Sequence, residues 1–202
     1  VLLRINPQNP QKRLINKVAE VLKEGGVIAY PTDTIYGFGC DIFNKKAINR
    51  VYQIKKRQHA KPFSFICSDL KHISEYAQVT NYAYKTMRRL LPGPYTFILP
   101  GSKLVPKIML TKRKTVGIRV PQNNICLAIV QALGHPIIST SVGFSGQEVL
   151  SDPLQIEETF GPQIELTIDG GSLVNQPSSI ISLLDDQPEV IRVGQGDVSQ
   201  FL

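Results

Sequence analysis

The 202-residue chain holds only three cysteines, Cys40, Cys67 and Cys126, far apart and each among apolar neighbours. An odd, scattered set makes no disulfide framework, so they read as small core residues of a reduced, cytoplasmic protein. No apolar run approaches the ~18 residues of a membrane-spanning helix. Arg4 interrupts the first apolar residues, so no signal-peptide pattern opens the sequence. His59, His72 and His135 show no ligand-like spacing to cysteines or carboxylates, and no metal site is expected. A Gly-x-Ser-x-Gly elbow, a His-Glu-x-x-His pair and a Walker A loop are all missing, which leaves hydrolase, metalloenzyme and P-loop readings with little support. Acidic residues are outnumbered 16 to 23, giving a net charge of +7 that favours anionic partners such as nucleotides, phosphates or nucleic acid.

What is present is an alternation of helical and extended patterns. Helices are predicted near residues 10–26, 45–57, 69–77, 81–91, 124–134 and 153–161, the fifth apolar nearly all round and so buried. Strands are predicted at 27–30, 63–67, 95–99, 115–120 and 136–140, then in succession at 164–169, 178–184 and 189–193. With 42% hydrophobic residues and no repeat, low-complexity tract or long linker, the chain is expected to form one α/β domain over residues 1–202, a mixed sheet flanked by helices, with a short trailing segment of nine residues.

Four stretches carry candidate chemistry. "AYPTDTIYGFGCD" (29–41) spends more hydroxyls and glycines than a turn needs. It is either a hydroxyl-rich turn or a ligand wall in which Gly37-x-Gly39 admits close backbone approach. "KKRQHAKP" (55–62) gathers Lys55, Arg57 and Lys61 at a helix end, as dipole-capping cations or as an anion site. In "TVGIRV", Arg119 points to solvent or points inward, where burial demands a carboxylate or an anionic ligand; Lys112, Arg113 and Lys114 before it read as a solvated loop. "STSVGFSG" (139–146) is a plain turn or a nest of backbone N–H groups for an anion.

Together, "GGVIAYPTDTIYGFGCD", "IKKRQHAKPFSFI", "LPGPYTFIL", "TVGIRVP", "PIISTSVGFSG", "IDGG" and "VIRVGQGDV" resemble the YrdC/YciO family, the threonylcarbamoyl-adenylate synthases and their relatives, across nearly the whole chain. The resemblance implies a twisted α/β sheet of the YrdC/RibB-like kind with a concave basic cavity. It implies use of ATP, bicarbonate and L-threonine, with Mg²⁺, to make threonylcarbamoyl-AMP and pyrophosphate for the modification of adenosine in tRNA. It also brings in double-stranded RNA or tRNA as a partner, since some relatives bind RNA. By position, Lys55 and Arg57 would be the catalytic pair, and Lys61 would join them on the phosphates or the carboxylate. Thr34 would touch threonine, with Tyr36 a further substrate-binding residue. Thr115 and Arg119 would line the nucleotide and threonine pockets, Thr140 and Ser141 would meet the adenylate, Ser178 the nucleotide side and Arg192 the phosphates.

The sequence departs from the synthase pattern at named places. Ser141-Val142-Gly143 stands where Ser-x-Asn is usual, Pro177-Ser178-Ser179 where Glu-Ser-Thr is usual, and Ile66 where His is often found. The ending "GQGDVSQFL" resembles the YciO branch. Two alternatives to a synthase are an RNA-binding protein of the same fold without the reaction, and a hydrolytic relative, for which the sequence shows no clear water-activating group.

Overall fold

The structure is a computed structural model describing residues 1–59 and 61–202. Its strands are β1 (Leu2–Arg4), β2 (Ile28–Tyr30), β3 (Gly37–Gly39), β4 (Ser64–Ile66), β5 (Tyr95–Pro100), β6 (Thr115–Arg119), β7 (Ile137–Ser141), β8 (Leu166–Asp169), β9 (Ser179–Ser182) and β10 (Glu189–Arg192). The main helices are α1 (Lys12–Lys23), α2 (Lys45–Lys55), α3 (Leu70–Tyr76), α4 (Asn81–Leu90), α5 (Asn124–Leu133) and α6 (Pro153–Phe160). Local chemistry sets their ends. Asn44 and Asn123 cap α2 and α5 by accepting the backbone N–H groups of Ala47 and Cys126. Gly134, at φ 89°, ends α5 in the left-handed region that glycine tolerates.

One mixed sheet runs in the order β1-β8-β2-β3-β7-β4-β6-β5-β9-β10. Side chains alternate across it, and the two faces are treated differently. One face packs through Phe38, Phe65, Phe97, Ile118 and Ile138 against residues of α2, α3, α4 and α6. The other packs through Ile28, Ile66, Ile137 and Ile168 against α1 and α5. That second layer stops short. Beyond it, Ser64, Thr96, Gly117, Arg119 and Ser139 lie on the same side of their strands as the covered Ile66 and Ile137, and all but Gly117 line an open cavity. Gly117 keeps the floor low, because a Cβ there would stand 2.6 Å from Ser64 Oγ.

The sheet also curls. Lying flat, β2 and β9 would be about 29 Å apart, six spacings of ~4.8 Å. Instead Gln195, just past β10, donates from Nε2 to the Asp33 carbonyl in the turn after β2, at 3.3 Å. Its own N–H bonds the Pro177 carbonyl ahead of β9. This closure makes the uncovered face concave.

The α/β expectation holds, with three corrections. The stretch at 29–41 is not one long turn: residues 37–39 form β3 in mid-sheet. A Cβ on Gly39 would lie 2.6 Å from the Tyr30 ring across the strand pair, so this glycine makes room for a core aromatic and not for a ligand. The tail holds the three strands expected in succession, and the sheet parts them: β8 inserts between β1 and β2, while β9 and β10 pair at the opposite end. The last nine residues do not trail: Gly194 N–H bonds Ser179 Oγ, the Tyr95 hydroxyl donates to the Asp197 carbonyl and Val198 is buried. Helix α5 is buried on one side only, with Asn124 and Gln131 exposed. The three cysteines are free and buried, and no helix among the described residues is long and apolar enough to cross a membrane.

Candidate functional site

The concave face holds a cavity of about 300 Å³. Its floor is the row of small hydroxyl residues just described, and its charge comes from three guanidiniums on separate elements: Arg57 after α2, Arg119 on β6 and Arg192 on β10. Thr140, Ser141 and Ser178 also line it. Among the described residues no carboxylate does, so three like charges face one hollow.

Each arginine is held differently. Arg57 stacks its guanidinium 4.9 Å from the Phe63 ring centre, and its Nε is buried with no hydrogen-bond partner. Burial holds its pKa below the ordinary value, with Tyr52 acting the other way. Arg119 answers the question of its orientation: it points inward. Its Nη2 donates to Asp33 Oδ1 at 2.8 Å and to Thr34 Oγ1 at 3.0 Å, while its Nε is also buried and unpartnered. Arg192 lies on the rim and gives Nε (3.0 Å) and Nη2 (2.7 Å) to the Ser178 carbonyl. Partial burial and the nearby Arg119 lower its pKa. Thr96 and Ser178 share a hydroxyl–hydroxyl bond of 2.7 Å on the floor. Leaving charged donors buried and unpaired costs about 1–3 kcal/mol each or more, a cost that an anionic ligand would remove.

The sequence-predicted residues divide on this geometry. Arg57, Arg119, Thr140, Ser141, Ser178 and Arg192 come together around the cavity. Thr34 is set behind it and reaches it through Arg119. Four others do not line it. Lys55 is buried, and its Nζ is occupied by the Ser141 carbonyl, Ser141 Oγ and the Gly143 carbonyl (3.0 Å). An ammonium has three protons, and three acceptors take them, so in this structure Lys55 clamps the end of β7 and stands apart from Arg57 and the cavity. The Tyr36 phenol donates to the Gly171 carbonyl at 2.7 Å and accepts from Gly170 N–H, anchoring the segment after β8. Thr115 sits at the far end of β6 from Arg119 and bonds Thr111 Oγ1 at 2.7 Å. The Lys61 side chain is exposed and outside the lining.

Of the two readings of the stretch after β7, a plain turn or a nest of N–H groups, the bonding of three of its N–H groups favours the turn. The Val142, Ser145 and Gln147 N–H groups are spent on the Tyr36, Lys55 and Phe144 carbonyls. Gly143 has φ 150°, and a Cβ there would stand 2.7 Å from the Glu148 carbonyl oxygen. The backbone here therefore has no room for the asparagine of the synthase pattern, and the departure is one of loop shape as well as of side chain.

Sequence reasoning missed Ser64, Thr96, Ser139 and Asp33. A usable signal existed: three apolar strands, β4, β5 and β7, carry small hydroxyl residues on the same face. For Asp33 the clue lay in the turn "PTDT", where only the hydroxyls were weighed. Among the described residues no group of three His, Cys, Asp or Glu side chains is arranged to hold a metal ion.

A sequence model of the Sua5/YciO/YrdC family, described as telomere recombination, matches residues 20–194. YciO of Escherichia coli is 46% identical over 200 residues, covering 98% of this chain and 97% of that protein. Its crystal structure superposes with a TM-score of 0.95 over 100% of this chain and 99% of that one. The threonylcarbamoyl-AMP synthase of Vibrio vulnificus is 32% identical over 159 residues, 77% of this chain and 86% of that protein. Pyrococcus abyssi Sua5, solved in complex with L-threonine, matches with a TM-score of 0.90 at 27% identity, over 96% of this chain and 57% of that one.

Proposed function

Since this chain belongs to the Sua5/YciO/YrdC family, we propose that its cavity binds an adenine nucleotide beside L-threonine and forms threonylcarbamoyl-AMP from ATP, bicarbonate and threonine. The observation that carries this reading is the convergence of Arg57, Arg119 and Arg192 on one hydroxyl-lined hollow. The relatives named as threonylcarbamoyl-AMP synthase and the threonine complex of Sua5 support the choice of substrates.

In this reading the threonine amine attacks the carbon of bicarbonate, and loss of water leaves a carbamate. A carbamate oxygen attacks the α-phosphorus, the Pα–O bond to the β-phosphate breaks and pyrophosphate leaves. Charge builds on phosphate oxygens, where guanidiniums fixed before the reaction stabilise it without reorganisation. The protein supplies mainly placement, worth several kcal/mol when reactants are held in attack geometry. A cavity of about 300 Å³ suits the amino acid, the carbamate and the α-phosphate, with the rest of the nucleotide in the open mouth. The residues present do not fit a protein-held Mg²⁺, because no carboxylate among the described residues lines the cavity; such an ion would be carried by the phosphate oxygens. The product would supply threonylcarbamoyl modification of tRNA in the cytoplasm.

The test is pyrophosphate release by the purified chain. Release is expected with ATP, bicarbonate and L-threonine together, and is lost when either threonine or bicarbonate is omitted. Release that ignores threonine, or none at all, counts against the reading.

A second reading, RNA binding without synthesis, is favoured by one separate observation. Between Glu75 and Glu148 there is no acidic residue, while nine lysines and arginines occur. On α4, exposed Tyr82 and Tyr84 stand among exposed Lys85, Arg88 and Arg89, a pattern suited to stacked bases and phosphates. This reading expects RNA affinity to fall with log salt at about 0.7–0.9 per phosphate neutralised, measured by gel shift at increasing KCl. A flat salt profile excludes it.

A further inference from the structure

We propose that Asp33 is a positioning residue that aims Arg119 at a carboxylate in the cavity and thereby selects an amino acid bearing a free carboxylate; this rests on the reading of the cavity above. Asp33 does not line the hollow. Its Oδ1 accepts from Arg119 Nη2 at 2.8 Å, and its Oδ2 accepts the Gln122 backbone N–H at 3.0 Å. Its carbonyl is gripped by Gln195 Nε2 at 3.3 Å. The Asp33 carboxylate is thus tied to the chain leaving β6, and its backbone carbonyl, through Gln195, to the segment after β10. The ion pair is nearly buried, with side-chain exposures of 5% for Arg119 and 10% for Asp33.

Those ties fix the guanidinium on one side. Nη2 is used twice, by Asp33 and by Thr34 Oγ1, and Nε not at all. A planar guanidinium held at its Nη2 corner presents its remaining donors in a fixed direction, which is what directed hydrogen bonding to a carboxylate requires. Asp33 is not placed to serve as a general base, because it stands outside the cavity lining, behind Arg119.

Two effects of Asp33 on an anionic ligand oppose each other. Its negative charge offsets Arg119 and so weakens attraction. Its hydrogen bonds orient Arg119 and so strengthen directed binding. Inside a nearly buried pair, hydrogen bonding falls off steeply with misalignment, so orientation dominates. The near-neutral Asp33–Arg119 end then suits a singly charged carboxylate. Arg57 and Arg192, with no acidic partner among the described residues, remain for phosphates.

The sign of one substitution decides the matter. Titration calorimetry with L-threonine and with uncharged-carboxyl L-threoninamide is run on the wild type, Asp33→Asn and Asp33→Ala. The wild type is expected to bind threonine well and the amide about tenfold or more weakly. Asp33→Asn, which keeps the shape, is expected to bind threonine about tenfold more weakly and the amide unchanged, closing the gap between the two probes. Asp33→Ala is expected to move the same way. Threonine binding that is equal or tighter in Asp33→Asn overturns this inference alone. A wild type that binds neither probe overturns the amino-acid reading of the cavity, and this inference with it. A parallel loss for both probes marks a merely structural role and also overturns it.

Discussion

Arg119→Ala is expected to lower kcat/KM for threonine-dependent pyrophosphate release by about 10²–10³-fold, the loss seen when a fixed donor to developing charge is removed. Arg119→Lys is expected to recover little, because a point charge cannot reproduce the forked donor set held by Asp33 and Thr34. Stability has to be separated from chemistry here. Removing Arg119 leaves Asp33, only 10% exposed, without its partner. Breaking a buried pair on one side costs about 3–5 kcal/mol. The double change Arg119→Gln with Asp33→Asn removes both charges, so it is expected to regain most of the urea stability and none of the activity. A double variant that regains activity, or an Arg119→Ala enzyme within threefold of wild type, would remove Arg119 from the site.

Lys55→Met is expected to destabilise the protein by about 2–5 kcal/mol, although Lys55 never faces the cavity, because it strands the Ser141 and Gly143 carbonyls in a buried setting. Ser141 then loses its fixed place in the lining, and ligand affinity falls with it. The effect carries a pH signature. Burial, with Arg57 adding to it, lowers the Lys55 pKa from 10.5 to about 8. Below pH 8 both folded and unfolded chains hold this proton, and its contribution is constant. Between 8 and 10.5 the unfolded chain binds the proton and the folded chain has shed it, so stability rises with pH. The gap between wild type and Lys55→Met is therefore expected to widen across that window by on the order of 3 kcal/mol. Tyrosine titrations are shared by both proteins and cancel in the difference. Denaturant titrations of the two proteins at pH 7, 9 and 10 measure the gap, and a constant or narrowing gap contradicts the assignment.

Periodicity was enough to locate most elements, because a helix or strand that buries one face must repeat its apolar residues at 3.6 or 2. The strands that escaped notice, β1 and β3, are three residues long, and β3 contains two glycines. A period cannot show itself over so short a run. Motif resemblance named Arg57, Arg119 and Arg192, which line the cavity, and it also named Lys55, Tyr36, Thr115 and Lys61, which the fold uses elsewhere or leaves outside. Charge and residue type say that a side chain can meet an anion. They do not say whether a carbonyl reaches it first, as Ser141 and Gly143 reach Lys55.

The amino-acid order alone determined the class of fold, the family, the excess of positive charge and the identity of the cations available to the cavity. All of these follow from composition, short-range pattern and shared motifs. Tertiary structure decided which of those cations face the hollow, that Asp33 holds Arg119, and that the sheet curls until Gln195 meets the turn after β2. The physical reason is distance along the chain. Asp33 and Arg119 are 86 positions apart and Asp33 and Gln195 are 162 apart, and contacts of that span exist only once the sheet has closed and the competing partners have been placed.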